Sequence, residues 1–139
     1  MTRVMVVDDN KVWGDLLVDY LQEQGWHAEC FDRLRSVAEV RAWRPDVMLL
    51  DVQMPVLRGD DLLRAMRNCP QLRDTPVIML TGAAQLDTDI VEMCQAWLTK
   101  PVDLRVLSRR IHDVMEQRDT VWSPQPDSPL WEKHSQRRW

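Results

Sequence analysis

Short apolar runs alternate with amphipathic stretches along most of the chain. The runs are largely continuous, as in "VMVV" at 4–7, and continuous runs are typical of strands that are buried on both faces. We predict strands at residues 3–8, 27–31, 46–51, 76–81 and 97–99. Apolar residues between these runs recur at three- and four-residue steps, which indicates helices. The alternation predicts an α/β fold built on a parallel sheet.

This pattern stops near residue 118. Residues 118–139 contain three prolines and no apolar periodicity. We therefore predict a compact domain over 1–117 and a Pro- and Trp-containing C-terminal tail or linker over 118–139. We also hypothesise that at least one tryptophan of this tail (Trp122, Trp131 or Trp139) docks on the surface of the body.

Composition and charge exclude several classes of protein. The chain has 139 residues, 45% of them hydrophobic and 29% charged, as expected of an ordinary soluble domain. No apolar run could span a membrane and no signal peptide precedes the first strand, so we expect a cytoplasmic protein without a membrane partner. The three cysteines are widely spaced and predict reduced thiols rather than a metal site. The formal net charge is −4, and residues 1–117 carry −5, which argues against direct binding to nucleic acid.

Polar residues stand at the carboxyl ends of four predicted strands: Asp8 and Asp9, Asp51, Thr81 and Lys100. In a parallel sheet these ends share one edge, where ligands bind, so we expect the five residues to meet in one pocket. Three carboxylates and one ammonium leave a charge of −2, which one Mg²⁺ would neutralise through hard oxygen ligands. Each residue alone also has a structural interpretation; Asp8 or Asp9, for example, could cap the first helix.

Four motifs carry a family resemblance: "VVDDN", "LLDVQMPVLRG", "VIMLTG" and "WLTKP". In this order and at these distances they closely resemble the receiver domain of two-component response regulators, and the match runs from residue 3 to about 117. The resemblance implies a flavodoxin-like fold, a doubly wound five-stranded parallel sheet with helices on both faces. It also implies a phosphorylation-controlled signalling protein. Such a protein is not an enzyme beyond its own phosphorylation from a phosphodonor and its own dephosphorylation.

The resemblance assigns the phosphorylation and metal sites. Asp51 would accept a phosphoryl group from a histidine kinase or a histidine phosphotransfer protein. An ionised carboxylate is the nucleophile this reaction needs, and a cation lets it approach an anionic group. Asp9 and Asp51 would hold Mg²⁺ together with the backbone carbonyl of Gln53, and Asp8 would reach the ion through a water.

Other residues of the motifs would support this chemistry. Lys100 would pair with Asp51 and then with a phosphoryl oxygen, and Thr81 would donate its hydroxyl to the phosphoryl group. The Lys100–Pro101 bond resembles the family's cis peptide, which would aim the lysine at the pocket. Pro55 and Gly59 would shape the loop after the phosphorylated strand.

Further positions would regulate the site. Gln53 and Ala83 occupy places that influence how readily water attacks the acyl phosphate in this family. Trp97 stands where the family commonly carries an aromatic residue that swings between exposed and buried positions. We predict that Thr81 triggers this movement when its hydroxyl turns toward the phosphoryl group.

The sequence departs from the family pattern around the fourth helix. The segment from Thr81 to Trp97 is about three residues shorter than in the family, which removes nearly one helical turn. Met93 stands near the place of a glycine that usually ends this helix. Because this helix belongs to the family's usual dimer or partner surface, we leave monomer and homodimer open and assign no downstream partner.

Three alternatives stay open. The chain could be the receiver part of a longer response regulator or hybrid kinase whose output domain it lacks. An α/β phosphatase with an aspartyl nucleophile would want a second acid two residues after Asp51, where Gln53 stands. A degenerate receiver that serves only as a scaffold would not need the complete set of acids, threonine and lysine.

Overall fold

The computed structural model describes residues 1–54, 57–82 and 86–119, except for the side chains of 118 and 119. Over these residues five strands alternate with five helices. The strands are β1 (Arg3–Val7), β2 (His27–Phe31), β3 (Val47–Asp51), β4 (Val77–Thr81) and β5 (Ala96–Thr99). The helices are α1 (Lys11–Glu23), α2 (Val37–Trp43), α3 (Gly59–Arg67), α4 (Thr88–Met93) and α5 (Leu104–Asp119). All five predicted strands are confirmed to within one residue at each end.

The strands form one parallel sheet in the order β2-β1-β3-β4-β5. Residues of β3 and β4 are buried along the whole strand, which explains why their sequences are apolar without alternation. The strand order reverses at β1, so the chain winds first to one side and then to the other. This confirms the predicted α/β, doubly wound five-stranded fold.

Alternate residues of each strand enter two separate hydrophobic layers. Val4 and Val6 pack with residues of α1 and α5 on one face of the sheet, whereas Met5 and Val7 pack with residues of α2, α3 and α4 on the other. Side chains of a strand point alternately to its two faces, so both faces of an interior strand need apolar residues. Helices therefore cover both faces of the sheet.

The first helix begins one residue later than an acidic cap would require. Asn10 is the N-cap, and its side-chain oxygen accepts a hydrogen bond of 3.1 Å from the amide of Trp13. The alternative in which Asp8 or Asp9 caps this helix is therefore wrong. Both acids precede the cap and remain available at the end of β1.

The fourth helix is short, with six residues, and Met93 is its last one. Its length agrees with the expectation of a truncated helix at this place. Ile90 is the residue of this helix that is fully buried, whereas Thr88 and Asp89 are exposed. In the part of the chain that the structure describes, no helix combines the length and the apolar character needed to cross a bilayer.

Candidate functional site

Three carboxylates meet where β1 and β3 end. Asp8, Asp9 and Asp51 each offer an oxygen, and these oxygens lie within 4.8 Å of one another. Asp8 and Asp9 follow β1 directly, and Asp51 is the last residue of β3, its neighbour in the sheet. The parallel arrangement thus joins residues that are more than forty positions apart in sequence.

Asp8 is completely buried and held by two hydrogen bonds. One carboxylate oxygen accepts from the amide of Asn10 at 2.9 Å, and the other accepts from Lys100 Nζ at 3.2 Å. Its own amide donates to the carbonyl of Phe31 at 3.1 Å. A buried carboxylate needs such partners, because leaving water is costly for a charge.

The Asp51 carboxylate is held less tightly than that of Asp8, so its oxygens remain available to react. Its side chain is 7% exposed, one oxygen accepts from the amide of Gln53 at 3.1 Å, and the other lies 3.5 Å from Lys100 Nζ. Burial raises the pKa of Asp51 above its ordinary value, although the Gln53 amide and the Lys100 ammonium oppose this effect. A raised pKa means that the carboxylate is more basic than an exposed one.

Lys100 bridges the two buried acids from β5, the edge strand. Its amide donates to the carbonyl of Thr81 at 2.7 Å, which ties the segment after β5 to the end of β4. The Lys100–Pro101 peptide bond is cis, as the resemblance implies. The Lys100 side chain is 31% exposed, so its ammonium lies between the two acids and solvent.

Thr81 and Gly59 complete the edge. Thr81 is the last residue of β4 and is buried. Gly59 begins α3, and its amide donates to the carbonyl of Val52 at 3.0 Å. A Cβ atom at Gly59 would overlap the carbonyl oxygen of Asp51, closer than real Cβ contacts allow, so only glycine lets α3 start this close to β3.

The donor set fits a hard divalent cation. Three carboxylates face one ammonium, so their repulsion is only partly balanced by the protein itself. The ligand atoms are all oxygens, and Asp9 is exposed, which leaves room for the waters that Mg²⁺ usually retains. The geometry therefore describes an acidic pocket with an open side.

Comparison with known proteins decides the family. The model of the response regulator receiver domain matches residues 4–112. The chain belongs to this family.

Two curated relatives show the range of proteins in which this receiver domain occurs. The chain is 30% identical to the chemotaxis protein CheY of Pseudomonas aeruginosa over 121 residues, which is 83% of this chain and 97% of that protein. It is 33% identical to the transcriptional regulatory protein CpxR of Escherichia coli over 128 residues, which is 90% of this chain and 53% of that protein. The chain thus spans about half the length of the transcriptional regulators among these relatives.

Solved structures agree with this assignment. CheY4 of Vibrio cholerae superimposes with a TM-score of 0.75 at 29% identity, covering 82% of this chain and 98% of that one. The chain is thus a CheY-like receiver of two-component signalling and not a classical enzyme. Receivers of this family interact in general with histidine kinases or phosphotransfer proteins.

The receiver fold brings most of the predicted site residues together at the pocket, whereas Trp97 lies away from it. Trp97 is half-buried in β5 and pairs in register with Met79, two residues before Thr81, so it lies below the pocket on the face covered by α3 and α4. Pro55 and Ala83 lie outside the described residues, as do residues 120–139 with the three tryptophans of the predicted tail; residues 118 and 119 belong to α5.

Sequence reasoning missed an arginine that organises the opposite end of α3. Arg67 donates to Met93, Leu72, Arg73 and Thr75 carbonyls and to the side chain of Gln95. Arg67 lies in the last turn of α3, where any basic residue interacts favourably with the helix dipole. In the sequence, Arg67 differs from an ordinary basic residue of a last helical turn only because no acidic residue stands near it, and that signal is weak.

Proposed function

We propose that this receiver accepts a phosphoryl group on Asp51 from a histidine kinase or a histidine phosphotransfer protein, with Mg²⁺, and thereby switches the binding of a protein partner. The observation that carries the proposal is the bridge that Lys100 forms between the buried Asp8 and Asp51, beside the exposed Asp9. One cation between two acids holds the nucleophile in place while net negative charge remains for a metal ion.

The transfer is a displacement at phosphorus. An oxygen of Asp51 forms a bond to phosphorus while the bond from phosphorus to the donor's imidazole nitrogen breaks, and the imidazole keeps the electron pair. The ionised Asp51 carboxylate is the nucleophile, and its oxygens are held by the Gln53 amide and beside Lys100 Nζ. Lys100 lies close enough to follow the charge from the carboxylate to the incoming phosphoryl oxygens.

The metal would be held by Asp9, Asp51 and the backbone carbonyl of Gln53, with Asp8 reaching it through a water. When bound, Mg²⁺ supplies charge neutralisation for the phosphoryl oxygens. Asp8 then has a second task, because it keeps Lys100 oriented through a hydrogen bond that does not involve the nucleophile.

Other residues would set the lifetime and the output of the phosphorylated state. Thr81 would donate its hydroxyl to the phosphoryl group, and Trp97 would respond by moving inward. Gln53 is exposed beside Asp51, so it is available to position or to block the water that hydrolyses the acyl phosphate. Pro55, Gly59 and Pro101 would keep the loops around the pocket in shape.

The second candidate is the same receiver as a part of a longer regulator or hybrid kinase. The lengths of the transcriptional relatives are compatible with this version, because the chain spans about half of them, whereas the 97% coverage of CheY is compatible with a receiver that stands alone. Residues 1–117 would then form the receiver and 118–139 the linker. In both versions the phosphorylation chemistry is the same.

Labelling by a small acyl phosphate such as acetyl phosphate, in the presence of Mg²⁺, tests the proposal. Wild type should gain the mass of one phosphate, and base should release it, whereas Asp51→Asn should gain none because the nucleophile is lost at constant volume. Asp19→Asn, the same change on an exposed position of α1, should label like wild type. Base-labile phosphate on the Asp51→Asn protein would contradict the assignment.

A further inference from the structure

Helix α4 contacts α3 through polar groups at both of its ends, and the two contacts are of different kinds. At its C-terminal end the carbonyl of Met93 accepts a 2.8 Å hydrogen bond from Arg67 Nε. Near its N-terminal end Asp89 forms an ion pair with Arg64. Both arginines belong to α3, one turn apart. A helix of six residues has little internal stability, so its position depends on tertiary contacts, namely the buried Ile90 side chain and these two polar contacts.

The Arg67 contact is multiple and sheltered. Arg67 Nη1 reaches the carbonyls of Leu72, Arg73 and Thr75 at 3.3, 3.0 and 2.9 Å. Its Nη2 donates at 3.0 Å to Gln95 Oε1, which also accepts from the amide of Val77 at 2.6 Å. The Arg67 guanidinium thus connects the C-terminal end of α4 to the loop after α3. Through Gln95, which directly precedes β5, it is also connected to Val77, the first residue of β4.

The Arg64 contact is single and exposed. The side chains of Arg64 and Asp89 are 42% and 55% exposed, so water and salt compete with their attraction. Arg64 Nη1 also lies 3.9 Å from a carboxylate oxygen of Asp60 and 3.9 Å from one of Asp61, both on α3. If Asp89 leaves, the guanidinium keeps two acidic partners on its own helix. Release therefore costs less than breaking an isolated pair.

We propose that α4 is a lever, pinned to α3 by Arg67 and held at its other end by a releasable latch between Arg64 and Asp89. Resting on the proposed function, the latch opposes the phosphorylated arrangement of the receiver. In sequence, Asp89 follows Thr81 by eight residues and Met93 follows it by twelve, so the latched end of α4 is the end nearer to the last residue of β4.

Hydrogen exchange separates the two ends. The amides of Ile90 and Val91 donate to the Asp87 carbonyl near the latch, and the amide of Cys94 donates to the Ile90 carbonyl near the pin. In Asp89→Asn and in Arg64→Gln the first two amides should exchange about two- to fivefold faster, as expected for loss of an exposed pair, while Cys94 stays unchanged.

Control variants test whether the faster exchange comes from loss of the ion pair or from a direct effect of the Asp89 substitution on α4. Asp89 lies in the first turn of α4, where a carboxylate also favours the helix dipole, so Asp89→Asn alone is ambiguous. Arg64→Gln leaves that turn intact, and the double variant should equal the single ones rather than their product. Asp61→Asn removes one of the acids that compete with Asp89 for Arg64, so its α4 amides should exchange no faster than in wild type. Equal loosening at Cys94, independent effects in the double variant, or no effect in Arg64→Gln would overturn the latch.

Affinity for beryllofluoride with Mg²⁺, a mimic of the phosphoryl group, tests the coupling. If the latch opposes the phosphorylated arrangement, both single variants should bind the mimic about two- to fivefold more tightly than wild type and Asp61→Asn. Unchanged affinity would overturn the coupling. A wild type that does not bind the mimic at all would refute the proposed function and the coupling with it, whereas the exchange pattern needs no phosphoryl mimic and judges the latch by itself.

Discussion

Two regions of this receiver concentrate charge, and they treat it in opposite ways. Around Arg67 a single cation meets only neutral acceptors, namely four backbone carbonyls and the side chain of Gln95. At the carboxyl edge of the sheet three acids crowd around one lysine, and the negative charge remains in excess. Both regions join segments that are distant in sequence.

The difference shows how a structural cluster can be told from a functional one. Every acceptor around Arg67 is fixed in the fold, so the cluster is complete without any other molecule. The acid pocket is incomplete by charge and open at Asp9, so it is matched to a cation from solution. Polar complexity alone does not mark a site, and neither does a single charge whose hydrogen bonds the fold supplies; several like charges crowded together and open to solvent do.

The largest effect on stability should come from Arg67. Arg67→Gln removes a guanidinium that satisfies several carbonyls, so we expect a loss of about 2–4 kcal/mol in the free energy of unfolding. Burial lowers the pKa of Arg67 to about 10, which still leaves it charged at neutral pH. Chemical denaturation measures the loss, and Arg73→Gln, on an exposed neighbour, is the control with no expected change. Equal stability of the two variants would mean that the cluster around Arg67 is not structural.

Removing a charge from the acid pocket should raise the stability of the protein, whereas removing the charge of Arg67 lowers it. Asp9→Asn relieves repulsion, so the variant should melt above wild type in the absence of metal. Wild type should gain about 1.4 kcal/mol when free Mg²⁺ is about ten times its Kd, and the variant should gain much less. Thermal melts with and without Mg²⁺ measure both effects. A wild type whose Tm does not respond to millimolar Mg²⁺ would contradict a metal role for this pocket.

The pH dependence sharpens the same contrast. Burial raises the pKa of Asp51 in the folded state, so folding favours its protonated form. The stability linked to this group is therefore present below its ordinary pKa of about 4 and is lost as pH rises through the raised value. In metal-free protein, Asp51→Asn should be more stable than wild type near pH 7, and the gap should close toward pH 4. A gap that widens on acidification would have the wrong sign.

The smallest effect concerns the one group near Arg67 that lacks a partner. Among the described residues, the side-chain nitrogen of Gln95 is buried without a hydrogen bond, whereas its oxygen accepts from Arg67 and Val77. Gln95→Glu replaces this nitrogen by an oxygen and gives Arg67 a carboxylate, so we expect a gain of about 1 kcal/mol. Gln95→Met, with similar volume and no acceptor, should lose stability instead. Denaturation of both variants beside wild type would show whether they move in opposite directions.

Most of the fold and the residues of the acid pocket could be predicted from the sequence. Interior strands of a parallel sheet read as continuous apolar runs, and their carboxyl ends must share an edge, so the meeting of Asp8, Asp51 and Lys100 follows from topology. Their roles in phosphoryl transfer stay predictions. So does the switch at Trp97, which lies two residues below Thr81 in the register of the sheet.

Other features could not be read from the sequence, because they depend on three-dimensional contacts with backbone atoms. The partners of Arg67 are mostly backbone carbonyls. Because every residue carries a carbonyl, no pattern of side chains in the sequence predicts these contacts. The choice of Asn10 rather than an acid as the cap of α1 depends on where the chain leaves β1, a matter of one residue. Sequence patterns locate elements better than they locate their ends.

The span of the lysine bridge has a consequence for the biogenesis of the protein. Lys100 and Asp8 are 92 residues apart, and they directly follow β5 and β1, the last and the first strand in chain order. A chain that is still being synthesised, or one whose edge strand β5 has detached, cannot assemble this bridge. If Asp51 is the phosphoryl acceptor that we propose, such incomplete molecules lack the lysine that lies beside it, and we expect them to be poor acceptors.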